Sequence, residues 1–385
     1  MSPKIDLSRA ADQCVMCGMC LPHCPTYQVS QHEAESPRGR ISLIKALAEG
    51  ELNSSPALDE HLQSCTACYR CQQICPAKVD YQRILDQGRK IYRSKQSIFT
   101  RLLQTVAISA PTHNWGHAAI KLARHAVKHL PTTNRHLKLL QLVSHQHSAT
   151  AATQNHATEV NIFSGCTGNL FDQQTLDSLI TLLNAIGVKA LLPKQILCCG
   201  ALSQHSGHLH KAESDINKLQ QYLSKQQSKI LLSIASGCGR QLSEQFANTS
   251  IEHFDALDWL SEQTNFRELV FSSSPMRVLM HHPCSLNTAQ QHASHELLKR
   301  IPNIELIEFN DNLACCGAGG LQLTTPQPSN SHLLDKKIAL VRDLQPNAIV
   351  SSNIGCSLNF RLGLDNADLD IEVIHPLTLL ARQLT

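Results

Sequence analysis

Charge of one sign is scarce in this sequence. Its 34 Lys and Arg nearly balance 31 Asp and Glu, for a formal net charge of +3 over 385 residues. That balance gives no polyanion-binding signal, so no nucleic-acid partner is expected. Long apolar runs are missing as well. The most apolar stretch, LITLLNAIGVKALL from Leu179, is interrupted by Asn184, Gly187 and Lys189 and falls short of the roughly 18 apolar residues a spanning helix needs. The opening MSPKIDLSRAADQC lacks a basic region followed by an apolar one, so neither a secretory nor a transit signal is expected. These absences predict a cytoplasmic protein whose membrane contact, if any, is peripheral.

Nucleotide signatures are also lacking. CCGAGGLQ offers Gly317, Gly319 and Gly320, but Gln322 stands where a dinucleotide fingerprint needs its last glycine, and there is neither a P-loop nor a C-x-x-C-H haem site. No FAD or NAD is expected on this chain, and such a cofactor has to come from a partner.

Cysteine, by contrast, is abundant, with 16 residues. In a chain of this length with no export signal, they argue for metal ligation in a reducing compartment and against a disulfide framework. CVMCGMCLPHCP supplies Cys14, Cys17, Cys20 and Cys24, and CTACYRCQQICP supplies Cys65, Cys68, Cys71 and Cys75. Both follow C-x2-C-x2-C-x3-C-P, the spacing of ferredoxin-type [4Fe-4S] clusters. Three thiolates two residues apart on a tight turn reach three irons of one cube, and the fourth cysteine serves the other cube. The expected ligand sets are therefore Cys14, Cys17, Cys20 and Cys75 for the first cluster, and Cys65, Cys68, Cys71 and Cys24 for the second. Zinc is typically held by two C-x2-C pairs and makes no use of a triplet with a remote fourth.

The other eight cysteines repeat over a long interval. Cys166, Cys198, Cys199 and Cys238 recur, at offsets of 117 or 118, as Cys284, Cys315, Cys316 and Cys356. Neighbouring Cα atoms lie about 3.8 Å apart, below the roughly 4.4 to 6.8 Å of a relaxed disulfide, so the paired cysteines 198/199 and 315/316 are expected to share a metal centre. Each set sits in alternating strand and helix patterns. EVNIF, VKALL and KILLSIA read as strands in the first copy, and RVLM, IELIEF and AIVSS in the second. Helices are expected around Leu176 to Leu183, Leu209 to Leu223, His292 to Arg300 and Leu333 to Leu344. Cys166, Cys238, Cys284 and Cys356 fall at or just past strand ends, where open α/β sheets place their ligands. Two adjacent thiolates favour a polynuclear iron-sulfur centre over zinc, although thiolates accept either metal.

The expected fold is α+β and multidomain. A mainly helical two-cluster ferredoxin-like domain covers 1–99 and a helical, histidine-rich linker 100–158. Two pseudo-repeated α/β, Rossmann-like units follow, over 159–270 and 271–385.

With these motifs, and with CPTYQ, SPRGRISLIKALAEG, CPAKVDYQRILDQGR, SGCG, HHPCSL, CCGAGG and NIGC, the chain resembles the iron-sulfur subunits of bacterial glycolate oxidase (glycolate dehydrogenase). In those proteins a ferredoxin-type pair precedes two CCG, or cysteine-rich, domains. The resemblance implies an electron conduit: FAD-containing dehydrogenase subunits oxidise glycolate to glyoxylate, and electrons pass through this chain toward the membrane quinone pool. It assigns the eight N-terminal cysteines to the two cubane sites and gives this chain no substrate site or catalytic residue. The iron-sulfur subunits of anaerobic glycerol-3-phosphate dehydrogenase and of lactate-oxidising complexes are alternatives. The CCG repeats also resemble heterodisulfide reductase, but the motif there ends in C-x2-C. Here Cys238 is followed by GRQ and Cys356 by SLN, so the fifth ligand is missing.

Three weaker features complete the reading. NWGHAAIKLARHAVKHL places Trp115, Ala119, Leu122, Ala126 and Leu130 on one helical face and Lys121, Arg124, His125, Lys128 and His129 on the other, a pattern read here as a solvated basic face rather than a lipid or partner contact. Arg38 and Arg40, after Ser36 and Pro37, open a helix and are expected to have a structural role or to tune a cluster. His281 and His282 are read as ordinary hydrogen-bonded histidines.

Overall fold

The computed structural model describes residues 6–144, 158–309 and 315–385. Residues 145–157 of the histidine-rich segment and the Leu313–Ala314 start of LACCGAGG lie outside them. The described chain forms two compact units. The first gathers 6–108, 201–213 and 315–337; the second gathers 109–144, 158–200, 214–309 and 338–385.

The first unit is helical. Helix α1 (Pro37–Glu49) starts with the Ser36 side chain accepting from Gly39 N and ends on Gly50 in the left-handed conformation. Helix α2 (Pro56–Gln63) is capped by Ser55, and α3 (Tyr81–Ser94) by Asp80. Proline at the first helical position of α1 and α2 sacrifices no hydrogen bond, because that N–H has no partner in a helix anyway. Ile41, Ile44, Leu47, Leu58, Leu62, Ile84 and Leu85 fill one core between them. Gly88 is required there, since a Cβ would lie 2.6 Å from Ile44 Cγ1. Helix α4 (Ile98–Ser109) follows.

The second unit begins with α5 (Asn114–Val127) and holds two four-stranded parallel sheets. The first contains β1 (Thr158–Phe163), β2 (Val188–Leu191), β3 (Ile230–Ser233) and β4 (Glu252–Asp255), in the order β2-β1-β3-β4. The second contains β5 (Met276–His281), β6 (Ile304–Glu308), β7 (Ala348–Ser351) and β8 (Glu372–Ile374), in the matching order β6-β5-β7-β8. Sequence patterning anticipates three strands per copy. The fourth, EHFD and EVI, is a short edge strand with one or two buried residues, too little for a periodicity signal.

Crossover helices complete each copy: α6 (Gly165–Phe171) and α7 (Gln173–Ala185) after β1, α8 (Ser236–Phe246) after β3, α9 (Ala256–Glu262) after β4, α10 (Thr288–Lys299) after β5, α11 (Ile354–Asn366) after β7 and α12 (Pro376–Gln383) after β8. The expected apolar face of α7, Leu176, Leu179, Ile180 and Leu183, is buried. The copies share a single core, in which α7 packs on α12 and α9 on α10. Thr175 Oγ1 lies 3.3 Å from Thr378 Oγ1 across this junction, and His375 bonds the carbonyl of Ile234 at 2.9 Å. Neither copy buries its helices alone, so the two fold as one body.

Candidate metal centres

Cys14, Cys17, Cys20 and Cys75 line one small pocket together with Met16, Gly18, Met19, Arg38 and Pro76. Arg38 closes it, donating from Nη1 to Met16 O at 2.8 Å and from Nε to the Glu33 carboxylate at 2.7 Å. Burial pushes the Cys20 thiol up to about 11. This pocket lies near the surface: Cys17 is exposed, and so are Val15, Met16 and Met19 around it.

The second motif is deeper. Cys24, Cys65, Cys68 and Cys71 are all buried. Burial, followed by the neighbouring thiols Cys68, Cys65 and Cys24, raises Cys71 well above the ordinary thiol range. Burial first, and then Cys315, push Cys68 up to about 12. Thiols buried and crowded in this way suit a cationic metal core, which would draw them to thiolates. The two motifs fold alike. Met16 and Ala67, each just before the second cysteine of its motif, have φ of 56° and 51°, and the residues just after that cysteine, Gly18 and Tyr69, have 79° and 56°. Only one of these four is glycine, so sequence carries almost no signal for this left-handed pattern. Each non-glycine residue held this way costs about 1–2 kcal/mol, offset by the loop geometry that aims three thiols inward.

Two buried arginines organise the second set. Arg40 donates to Glu35 Oε2 at 2.6 Å, Ser64 Oγ at 2.7 Å, His61 O at 2.7 Å and Thr26 Oγ1 at 3.1 Å, and Thr26 Oγ1 is 3.3 Å from Cys24 Sγ. Burial works against the Arg40 charge, but Cys65, Tyr81, Cys24 and Glu35 outweigh it and hold its pKa above the usual value. Arg89 donates to the carbonyls of Leu62 at 2.6 Å, Cys65 at 2.9 Å and His205 at 2.7 Å, tying the start of the motif to α3. Tyr81 OH lies 3.5 Å from Cys65 Sγ. Of the two arginines singled out from sequence, Arg38 lies beside the first set and Arg40 beside the second; Arg89 was not foreseen.

The segment after Cys316 also belongs to this unit. Gly319 is pressed against the Cys65 turn, where a Cβ would lie 1.9 Å from Thr66 O, and Gln322 Nε2 donates to Gln63 O at 2.6 Å. Gly317 has φ +82° and its N–H points to Cys315 Sγ at 3.5 Å.

In the second unit, the first repeated set comes together. Cys166 Sγ is 3.7 Å from Cys198 Sγ, and Cys199 bonds both Cys198 and Cys238 through side chains. The Cys198 contact, then burial, raises Cys166 well above the ordinary range. Gly200 N donates to Cys198 Sγ at 3.3 Å, and Gly165 takes the left-handed conformation at φ +73°. Metal–sulfur bonds of about 2.3 Å in a tetrahedron put sulfurs about 3.8 Å apart, so this spacing fits thiolates sharing one metal. Cys166 and Cys238 lie in the first turns of α6 and α8, a few residues past their strands.

Of the second repeated set, Cys284 follows β5, and Cys356 begins α11, whose N-cap Asn353 accepts from Gly355 N and Cys356 N. Both belong to the second unit, whereas Cys315 and Cys316 belong to the first. The loops that carry Cys238, Cys284 and Cys356 are tied together through Ser285 Oγ donating to Ser236 Oγ at 2.8 Å and Asn353 Nδ2 to Ser236 Oγ at 3.3 Å. His281 bonds Ser351 Oγ at 3.0 Å and meets Phe360 edge to face, and His282 bonds Glu308.

Residues 10–79 match the 4Fe-4S dicluster domain, and residues 160–243 and 278–361 each match the cysteine-rich domain. This chain joins one dicluster domain to two cysteine-rich domains. It is similar to the probable glycolate oxidase iron-sulfur subunit of Bacillus subtilis, at 26% identity over 95% of this chain and 92% of that one. It is also similar to the glycolate oxidase iron-sulfur subunit of Escherichia coli, at 27% identity over 89% and 88%. One of the subunits of the CoM/CoB fumarate reductase from Methanothermobacter marburgensis is 23% identical over 95% of this chain and 71% of that one. The chain thus carries a 4Fe-4S dicluster domain and two cysteine-rich domains, and over most of its length it is similar to glycolate oxidase iron-sulfur subunits. Among the described residues, no helix is long and apolar enough to cross a membrane.

Proposed function

We propose that this chain is the electron-transfer subunit of a flavin-dependent glycolate dehydrogenase. It would accept electrons from FAD-containing partner subunits that convert glycolate to glyoxylate and pass them toward a membrane quinone. The observation that carries this reading is the crossed cage pair: Cys75 lines the pocket of Cys14, Cys17 and Cys20, while Cys24 sits among Cys65, Cys68 and Cys71. The proposed ligands follow those two groupings, and the dicluster segment and repeated units keep the bounds 1–99, 159–270 and 271–385. Two [4Fe-4S] clusters supply one-electron steps. The protein holds the thiols, excludes water from the second site and leaves the first near the surface, where Val15, Met16 and Met19 give a partner's redox centre an apolar landing.

Cys166, Cys198, Cys199 and Cys238 are proposed to hold a further metal, and so are Cys284, Cys315, Cys316 and Cys356. The 3.7 Å sulfur spacing in the first of these sets favours thiolates sharing one metal, iron or zinc. The test is co-purification with the flavoprotein subunits under anaerobic conditions, followed by dye reduction with glycolate, lactate and glycerol 3-phosphate in parallel. Selective turnover of glycolate supports the assignment. Turnover only of lactate or glycerol 3-phosphate moves the chain to the corresponding complex, and zinc without acid-labile sulfide at the N-terminal sites removes the electron-transfer reading.

A further inference from the structure

Between Asp86 and Glu159 the sequence has ten Lys and Arg and no acidic residue. Two helices in this stretch are amphipathic in the inverted sense. In α4, the residues turned toward the protein are Arg101, Gln104, Thr105 and Ile108, with Arg93 donating to Thr105 Oγ1 at 2.9 Å. The outward face is Ile98, Phe99, Leu102, Leu103 and Val106, of which Ile98 is 83% and Phe99 69% exposed. Taken by itself, α5 repeats the arrangement. Gly116, His117 and Arg124 are buried, with His117 bonding Pro111 O at 2.8 Å, while Leu122 is 73% and Trp115 56% exposed. Of the basic face expected for α5, His125, Lys128 and His129 are exposed and Arg124 is buried, and the apolar residues Trp115 and Leu122 are exposed as well.

An apolar helix face gains nothing from contact with water, and a contiguous one marks a contact surface. The charge around it selects the occupant. A protein partner presents charges of both signs, whereas an anionic bilayer presents one sign everywhere and attracts basic segments that carry aromatic and aliphatic residues on one face. Lys90 and Lys95, in the same unit as α4, are exposed, and nothing acidic between Asp86 and Glu159 opposes that attraction. We infer that the outward face of α4 docks this chain on an anionic lipid surface. This deepens the reading that the chain delivers electrons toward a membrane quinone: it places the protein at the bilayer surface by lying on it, not by spanning it.

The test is sedimentation of the anaerobically purified full chain with quinone-free vesicles of phosphatidylglycerol and phosphatidylcholine, compared with vesicles of phosphatidylcholine alone. The expected result is binding to the anionic vesicles only, lost at high salt. The triple variant Ile98→Ser, Phe99→Ser, Leu102→Ser should bind at least about tenfold more weakly with unchanged iron content, because all three side chains are exposed. Failure of the parent chain to sediment, or equal binding by the triple variant, overturns the proposal. So does a triple variant whose only defect is loss of the flavoprotein subunits, which would make the face a protein interface. None of these readouts involves glycolate or quinone, so the electron-transfer assignment stands or falls separately on the dye assay.

Discussion

Arg40 Nη2 donates to the Glu35 carboxylate at 2.6 Å, with the guanidinium fully buried and the carboxylate nearly so. The pair sits beside the second cysteine set, linked to Cys24 through Thr26 and to Cys65 through the neighbouring Ser64. Removing one partner of a buried pair strands the other, at a cost of about 3–5 kcal/mol. Arg40→Met should therefore destabilise the protein strongly. Arg40→Met combined with Glu35→Gln should recover part of the loss, because the stranded charge is gone. Chemical denaturation of the four proteins of this cycle measures both effects.

Gly319 makes a different kind of contact with the same set. Any side chain there meets the Thr66 carbonyl, since even a Cβ would lie 1.9 Å away. Gly319→Ala should push the loop after Cys316 off the Cys65 turn, at an overpacking cost of about 1–3 kcal/mol. EPR of the reduced protein should show the signal of the buried cluster altered and that of the surface cluster unchanged. Equal perturbation of both signals would mean that the loop does not act locally.

Sequence made the thiol groupings legible because thiol spacing is itself the chemistry. The grouping of Cys75 with Cys14, Cys17 and Cys20, the repeat offset and three strands of each sheet follow from residue type and period alone. Backbone handedness was hidden, since Met16, Ala67 and Tyr69 adopt left-handed angles that their identities do not advertise. Membership of the units was hidden too. Nothing in CCGAGG states that the segment from Cys315 to Lys337 packs with the dicluster fold, because that depends on long-range contacts such as Gln322 with Gln63. The exposure of the apolar faces of α4 and α5 was hidden for a related reason: periodicity shows that a helix has an apolar face but not whether the fold covers it.

His375 gives the second unit an acid-sensitive joint. It caps α12, accepting from Leu377 N at 3.1 Å while its other ring nitrogen bonds Ile234 O. Burial lowers its pKa from 6.5 to about 3. Between those values the unfolded chain binds the extra proton, so this residue's contribution to stability falls as pH drops below about 6.5. Asp255, raised by burial to about 6 from 3.8, acts in the opposite direction below pH 6 and offsets part of the loss. His375→Asn keeps a capping acceptor and removes the titration. Its stability should fall by about 2 kcal/mol less than the parent's between pH 7 and pH 5, as followed by far-UV circular dichroism in urea. Parallel losses in the two proteins would remove His375 as the cause.

The crossed ligand assignment predicts a pattern of iron loss that no uncrossed arrangement gives. Each cubane carries four irons, so Cys24→Ser alone should lower the N-terminal iron by about four per chain, and so should Cys65→Ser alone. If Cys24 serves the buried set, combining these two changes removes nothing further, because both strike one cluster. Cys24→Ser combined with Cys14→Ser strikes both and should remove about eight. Cys75→Ser should behave in the mirror sense, adding nothing to Cys14→Ser and doubling the loss of Cys65→Ser. Iron and acid-labile sulfide analysis of these single and paired variants, anaerobically purified, decides between the arrangements. An uncrossed protein would exchange the additive and non-additive pairs.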